Sequence, residues 1–324
     1  MAPVQIAELT FIGADLEIPE CVLATKAGDL FASDGAGVAH IRPNGSVRRI
    51  KPRSAPAGFR TNGFAMLPDR SFLIANLGPG GGIWRLTDDG NLSPFLMSVD
   101  GAALPSANYV GLDEQGRLWV TVSTRQVPRH KAWRKDCADG FIVLYDKGVA
   151  RIVADDLRYT NEAIVDQTGK WLYVCESFAQ QLVRYDIAPD GSLGPKEIIS
   201  QFIIGSTADK ASVPDGLAMD EEGYVWIANA FSNRLVRIDP KTGNREAILE
   251  DVEPNELAQI AGHLTNGEHG QGFEIGGRRT LGNLSSLAFG GEDLRTIYLG
   301  GLSATRIGCL RTPFKGYPRP HWSF

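Results

Sequence analysis

The chain has 324 residues, 43% of them hydrophobic and 22% charged, with 37 glycines and a net charge of −5. It carries no Lys/Arg block of the kind that marks a nucleic-acid binder, and no apolar run approaches the roughly 18 residues of a membrane span. The opening MAPVQIAELTFIGADLEIPE has no basic stretch followed by an apolar one, so no secretory signal is read, and the widely spaced Cys21, Cys137, Cys175 and Cys309 read as free thiols in a reducing cytoplasm.

A unit then repeats along the chain. Each copy opens on a polar residue, runs an apolar strand, turns on Gly or Asp, and returns as a second strand. The copies open at Glu20 (Leu30–Ala32 returning), Asn62 (Phe72–Ala75), Asn108 (Leu118–Val120), Asn161 (Trp171–Val174), Asp215 (Tyr224–Ala228) and Ser285 (Ile297–Leu299). Third strands follow at Ile83–Leu86, Phe141–Leu144, Leu182–Tyr185 and Leu235–Ile238, and weaker fourth strands come after them. Short β-rich segments closed by turns argue against helices almost everywhere. Four strands per unit, six units and a period of about 40 residues or more predict an all-β fold, a six-bladed β-propeller with four-stranded antiparallel blades. Residues 1–324 are expected to form one domain, with Ile6–Ile12 supplying the outer strand of the last blade. Trp84, Trp119, Trp171 and Trp226 fall on strands and read as packing between blades.

Propeller geometry puts the six opening residues on one face, around a central channel. The turns on the opposite face are short, such as Asp113–Gly116 and Asp220–Gly223. The long connections, Gly78–Gly82, Thr124–Asp139, Gly205–Pro214 and Asp251–Asn283, all fall on the entrance face, which is therefore the expected functional face. Arg125–Lys135 is basic and suits a lid that attracts an anionic substrate, or else a solvated loop. His263 and His269 lie in the longest insertion, and Glu176 follows the second strand of blade four.

Glu20, Asn62, Asn108, Asn161, Asp215 and Ser285 thus converge on the channel mouth as two carboxylates, three amides and a hydroxyl. Polar groups crowded into a channel are costly unless something satisfies them. Oxygen donors carrying two negative charges suit one hard divalent cation; Ca²⁺ fits best, with Mg²⁺, Mn²⁺ or Zn²⁺ as alternatives.

The motifs Pro214-Asp215-Gly216-Leu217-Ala218 with Val225–Ala228, Thr160-Asn161 with Leu172–Val174, and Ala288–Gly291 with Asp293–Tyr298 resemble the regucalcin, gluconolactonase and luciferin-regenerating-enzyme family of metal-dependent propellers. The resemblance implies a divalent metal on Glu20, Asn161 and Asp215, with Asn108 beside it meeting substrate or a metal-bound water. It implies hydrolysis of sugar lactones, and in one branch of organophosphate esters. Three departures stand out. The family's Arg-x-Asn-Asp at the third opening is Ser106-Ala107-Asn108-Tyr109 here, its Asn-Gly at the fourth is Asn161-Glu162, and Glu20 is followed by Cys21-Val22 rather than Gly-Pro.

The expected function is a cytoplasmic lactonase in which the metal polarises the lactone carbonyl as a Lewis acid. Asp215 and Asn108 are the expected catalytic pair, with Asp215 or a metal-acidified water as base and Asn108 and Asn62 donating to the developing oxyanion. Asn62, Tyr109, Glu162 and Ser106 are expected to meet the substrate, a small lactone. The alternatives are a non-catalytic metal- or ligand-binding propeller, another ester hydrolase, and a propeller presenting its rim to protein partners; the acidic ring argues against the last.

Overall fold

A computed structural model describes residues 3–324, which form six four-stranded antiparallel sheets in a ring, a six-bladed β-propeller. The innermost strands are Val22–Ala24, Thr61–Met66, Tyr109–Leu112, Thr160–Val165, Val213–Met219 and Leu284–Gly290. In blades one to five the strands run from inside to outside in chain order. Blade six takes its outer strand from the other end of the chain: Thr10–Ile12 pairs with Ile307–Cys309. That strand is shorter than expected, because Ile6–Glu8 winds into a 3₁₀ turn. Before it, Val4 donates to the Ile248 carbonyl, so the N-terminal segment also reaches blade five.

Both faces of every blade are covered, so inner strands such as Thr61–Met66 and Val213–Met219 are buried along their whole length. Each adjacent pair of blades shares its own hydrophobic core. Phe31, Phe64 and Phe72 meet between blades one and two, and Leu217, Ile227 and Val236 pack toward Ile164 and Tyr173 between blades four and five. Trp119 and Trp226 are fully buried in this packing, whereas Trp84 and Trp171 are only partly covered.

The short turns of the opposite face share one device. Asp220 accepts from the Glu222 and Tyr224 backbone N–H groups through Oδ1 (both 3.0 Å) and from Trp226 Nε1 (2.8 Å) and Arg237 Nε (2.7 Å) through Oδ2. Asp113 repeats it with Gln115, Arg117 and Trp119. One carboxylate thereby satisfies the turn and the buried indole behind it.

Among the described residues the α-helices lie on the entrance face, in two of the long connections. Thr207–Lys210 (α1) is one turn; Pro254–Asn266 (α2) and His269–Gly277 (α3) fill the longest insertion. Leu257, Ile260 and Leu264 of α2 pack on Phe178, Val213 and Phe231, giving that face a core of its own. The C-terminal segment crosses the opposite end of the channel. The Tyr317 N–H donates to the Met219 carbonyl (2.9 Å), Arg319 Nη1 donates to the Val165 carbonyl (2.9 Å), and the Trp322 carbonyl accepts from the Lys26 N–H (2.8 Å). Among the described residues no helix is long and apolar enough to cross a membrane.

Candidate active site on the entrance face

The opening residues sit where the inner strands leave regular pairing. Register shifts fall between Thr61 and Phe64, between Thr160 and Ala163, and between Pro214 and Leu217, so Asn62, Asn161 and Asp215 each lie inside a bulge. A bulge re-aims a side chain by breaking the ladder locally. Glycine follows the opening residue where no side chain fits: a Cβ on Gly216 would stand 2.4 Å from the Ser285 carbonyl, and one on Gly63 would stand 2.6 Å from the Tyr109 ring.

Glu20, Asn62, Asn108, Asn161 and Asp215 form the floor of a cavity of about 510 Å³ that opens on the entrance face. Their orientation is set from behind. Asn62 donates through Nδ2 to Glu20 Oε1 (2.9 Å) and to the Asn108 carbonyl (2.8 Å). Asn108 Nδ2 donates to Ser123 Oγ (2.9 Å), and Asn161 Nδ2 donates to Ser177 Oγ (3.1 Å), which in turn donates to the Pro214 carbonyl (2.8 Å). Tying back the nitrogen of each amide leaves its oxygen for the cavity. Four buried oxygens accordingly have no hydrogen-bond donor: Glu20 Oε2, Asn108 Oδ1, Asn161 Oδ1 and Asp215 Oδ1.

Burial pushes the Glu20 carboxyl up to about 7, against the opposing pull of Arg129, Asn62 and Arg60. Asp215 is raised well above the ordinary range by burial and then by Glu20, while Arg129 and Asn161 draw it down. Two carboxylates this close resist being charged together unless a cation joins them.

Those four oxygens fit a hard cation. Among the described residues no group of three or more His, Cys, Asp and Glu side chains is placed to hold a metal ion, so a cation here would rest on two carboxylates completed by neutral amide oxygens.

The other expected site residues lie elsewhere. Tyr109 and Glu162 follow opening residues by one position, and strand alternation sends them the other way, into the lower channel. There they line a small cavity of about 50 Å³ with Cys21, Ser286 and Arg319. Glu162 Oε2 accepts from the Leu217 N–H (2.9 Å), and burial raises its carboxyl well above the ordinary range. Tyr109 and Glu162, expected to meet substrate, thus pack the channel beneath the entrance-face cavity. Ser106 donates to the Gly78 carbonyl (3.0 Å) and shapes a loop. Ser285 Oγ lies 3.4 Å from the Glu20 carbonyl, beside the ring rather than in the cavity. Asn62 has given both amide hydrogens to Glu20 and Asn108, so it orients Glu20 and has none left for an oxyanion.

Glu176 is buried among Arg158, Gln181 and Lys196, away from the cavity. His263 pairs with Glu268 (2.7 Å) on the helical insertion, and His269 packs edge-on against Phe178 with ring centroids 4.9 Å apart.

Arg129 and Trp133 bring the basic Arg125–Lys135 segment to the cavity, and several further residues of the site escaped the sequence reading. Arg129, in the basic loop, donates through Nη2 to Ser123 Oγ (2.9 Å), the hydroxyl that also holds Asn108. Ser123 and Ser177 each follow the second strand of their blade by one residue, a repeat spacing that could have revealed them. Trp133, Tyr159, Phe178, Phe231 and Phe273 form an aromatic wall on one side of the cavity.

The model of the SMP-30/gluconolactonase/LRE-like region matches residues 18–251. The chain is 26% identical over 221 residues to the 6-deoxy-6-sulfogluconolactonase of Pseudomonas putida, covering 67% of this chain and 62% of that protein, less than two thirds of its length. A segment of 76 residues is 30% identical to regucalcin of Oryctolagus cuniculus, 24% of each chain. In fold it resembles a gluconolactonase from Xanthomonas campestris (TM-score 0.67, 17% identity, 93% of this chain and 88% of that one). It likewise resembles a calcium-binding protein, regucalcin, from Agrobacterium tumefaciens (TM-score 0.68, 17% identity, 97% and 99%).

Proposed function

The chain belongs to the SMP-30/gluconolactonase/LRE-like family, and on that premise we propose that it is a divalent-metal-dependent hydrolase that opens a lactone at the floor of the entrance-face cavity. The observation that carries this reading is the set of four buried, donorless oxygens on Glu20, Asn108, Asn161 and Asp215. The names of the relatives, a sulfogluconolactonase and a gluconolactonase among them, agree with the reaction class.

Glu20, Asn161 and Asp215 would hold the cation, with Asn108 beside it. When bound, the cation supplies Lewis-acid polarisation of the lactone carbonyl, an effect of several kcal/mol. The chain's own groups do the rest. Asp215 takes a proton from the water that attacks the carbonyl carbon. As the bond from carbonyl carbon to ring oxygen breaks, the proton passes to the leaving oxygen and a hydroxy acid results. Asn108 presents its oxygen, so it accepts from the water or a substrate hydroxyl. Arg129, joined to Asn108 through Ser123, is the group suited to neutralise developing negative charge.

The test is turnover of sugar and aromatic lactones with Ca²⁺, Mn²⁺, Mg²⁺ or Zn²⁺ against chelator. Asp215→Asn should lose activity by about 10³-fold or more. Metal-dependent turnover retained in Asp215→Asn would remove Asp215 from the reaction; binding of the cation without turnover of any lactone would leave a ligand-binding propeller instead.

A further inference from the structure

Given a lactone hydrolase at this site, we propose that its substrate joins an aromatic or comparably apolar ring to an anionic group, the ring against the wall of blades three to six and the anion on Arg129. This deepens the preceding reading and rests on it.

The wall is continuous and starts at the floor. Phe178 follows Ser177, which holds Asn161, and Tyr159 precedes Asn161 by two residues. Tyr159 and Phe178 stack edge to face with centroids 4.8 Å apart, Trp133 and Phe178 are 5.5 Å apart, and Phe231 meets Phe273 at 5.8 Å. The Trp133 indole N–H is spent on the Tyr159 hydroxyl (2.9 Å), so the wall keeps few hydrogen-bonding groups for a hydroxyl-rich ligand. Desolvating sugar hydroxyls against such a surface is unfavourable, whereas an aromatic ring gains both area and edge-to-face contact.

Arg129 gives the other half. It faces the cavity and has no carboxylate within ion-pair distance among the described residues; its only hydrogen bond there is to Ser123 Oγ, and its buried Nε has no partner. Arg60, also lining the cavity, has no ion pair among the described residues either. With a divalent cation balancing Glu20 and Asp215, these arginines leave the cavity positive, which favours a substrate bringing its own negative charge. Arg129 reaches the floor from the connection between the second and third strands of blade three, while Ser106 is turned to a backbone carbonyl. One of the two cavity arginines is therefore carried by this chain's long blade-three loop.

Four lactones separate the two halves: gluconolactone, the lactone of glucaric acid, phthalide, and phthalide bearing a carboxylate on its saturated ring carbon. The expected order of kcat/KM puts the carboxylated phthalide first and gluconolactone last. Arg129→Met should cut the preference for carboxylated over plain phthalide by about 10- to 100-fold, and Arg129→Lys should recover part of it. Phe273→Ala should cut the preference for the phthalides over the sugar lactones by about 10-fold. A preference for gluconolactone over both phthalides overturns the apolar half; a carboxylate preference unchanged in Arg129→Met overturns the anionic half. Binding is read separately through quenching of Trp133 fluorescence, with Trp133→Phe as control, using the ring-opened diacid and gluconate as probes. If no lactone turns over, the hydrolase reading fails alone. The inference about the pocket then stands if the diacid quenches more tightly than gluconate and falls if gluconate binds as well.

Discussion

At the scale of residues, the site depends on what holds each oxygen rather than on the oxygens alone. Ser123 and Ser177 fix the amides of Asn108 and Asn161. Support of this kind typically costs 10- to 100-fold in metal affinity when removed. Ser177→Ala should therefore weaken the cation by about 10-fold or more in a calorimetric titration, while the unfolding curve in chelator moves little. Proton and cation compete for the same carboxylates. The fold raises Glu20 from its ordinary 4.5 to about 7, so without metal the native state binds the extra proton. The sign follows: this stabilisation is fully present below the unfolded value and is lost as pH rises through about 7. Cation binding must expel that proton, so metal affinity should rise as pH rises toward about 7. Titrations across that window in buffers of different ionisation enthalpy should show proton release below it. A pH-independent affinity would mean that Glu20 is not a ligand. The identities Glu20, Asn62, Asn108, Asn161 and Asp215 were legible in the sequence because the repeat aligns them. Which atom of each amide faces the cavity was not, since the serines that decide it come from a different strand.

At the scale of elements, bulges and turns carry the design. Gly216 lies in the blade-five bulge against the Ser285 backbone, so Gly216→Ala forces two inner strands apart and should cost about 1–3 kcal/mol by denaturant unfolding, with loss of cation binding as Asp215 shifts. Asp220→Ala strands the buried Trp226 indole and leaves the buried Arg237 with Glu222 alone, and should cost about 3 kcal/mol. The four-strand period made the blades readable, because strand and turn chemistry recur in each. Tyr109 and Glu162 were misplaced for a local reason: period-two alternation directs a residue next to an opening position away from the mouth. The helices α2 and α3 were hidden because an insertion has no sister copy to compare with, although Leu257, Ile260 and Leu264 do fall at helical spacing.

At the scale of the whole molecule, the ring is closed by one end of the chain and its channel is covered by the other. Thr10–Ile12 completes blade six, and the crossing of Gly316–Trp322 covers the channel end below Tyr109 and Glu162. Under the proposed function, substrate would therefore approach from the entrance face. Removing residues 313–324 should lower the unfolding midpoint by several degrees while leaving the cation site's donors in place, because the segment bonds blades one, four, five and six but none of the floor residues. This crossing lies outside the repeat, so nothing in the periodicity pointed to it. Under the proposed function, lactone opening depends on a cation seated on the four donorless oxygens. The most direct measurement of that dependence is lactone turnover of chelated protein titrated back with Ca²⁺, with cation binding followed by calorimetry in the same samples. Turnover should be absent in chelator and recover in step with one bound cation per chain, and Asp215→Asn should lose both. Full activity in chelator, or cation binding unaffected in Asp215→Asn, would contradict it.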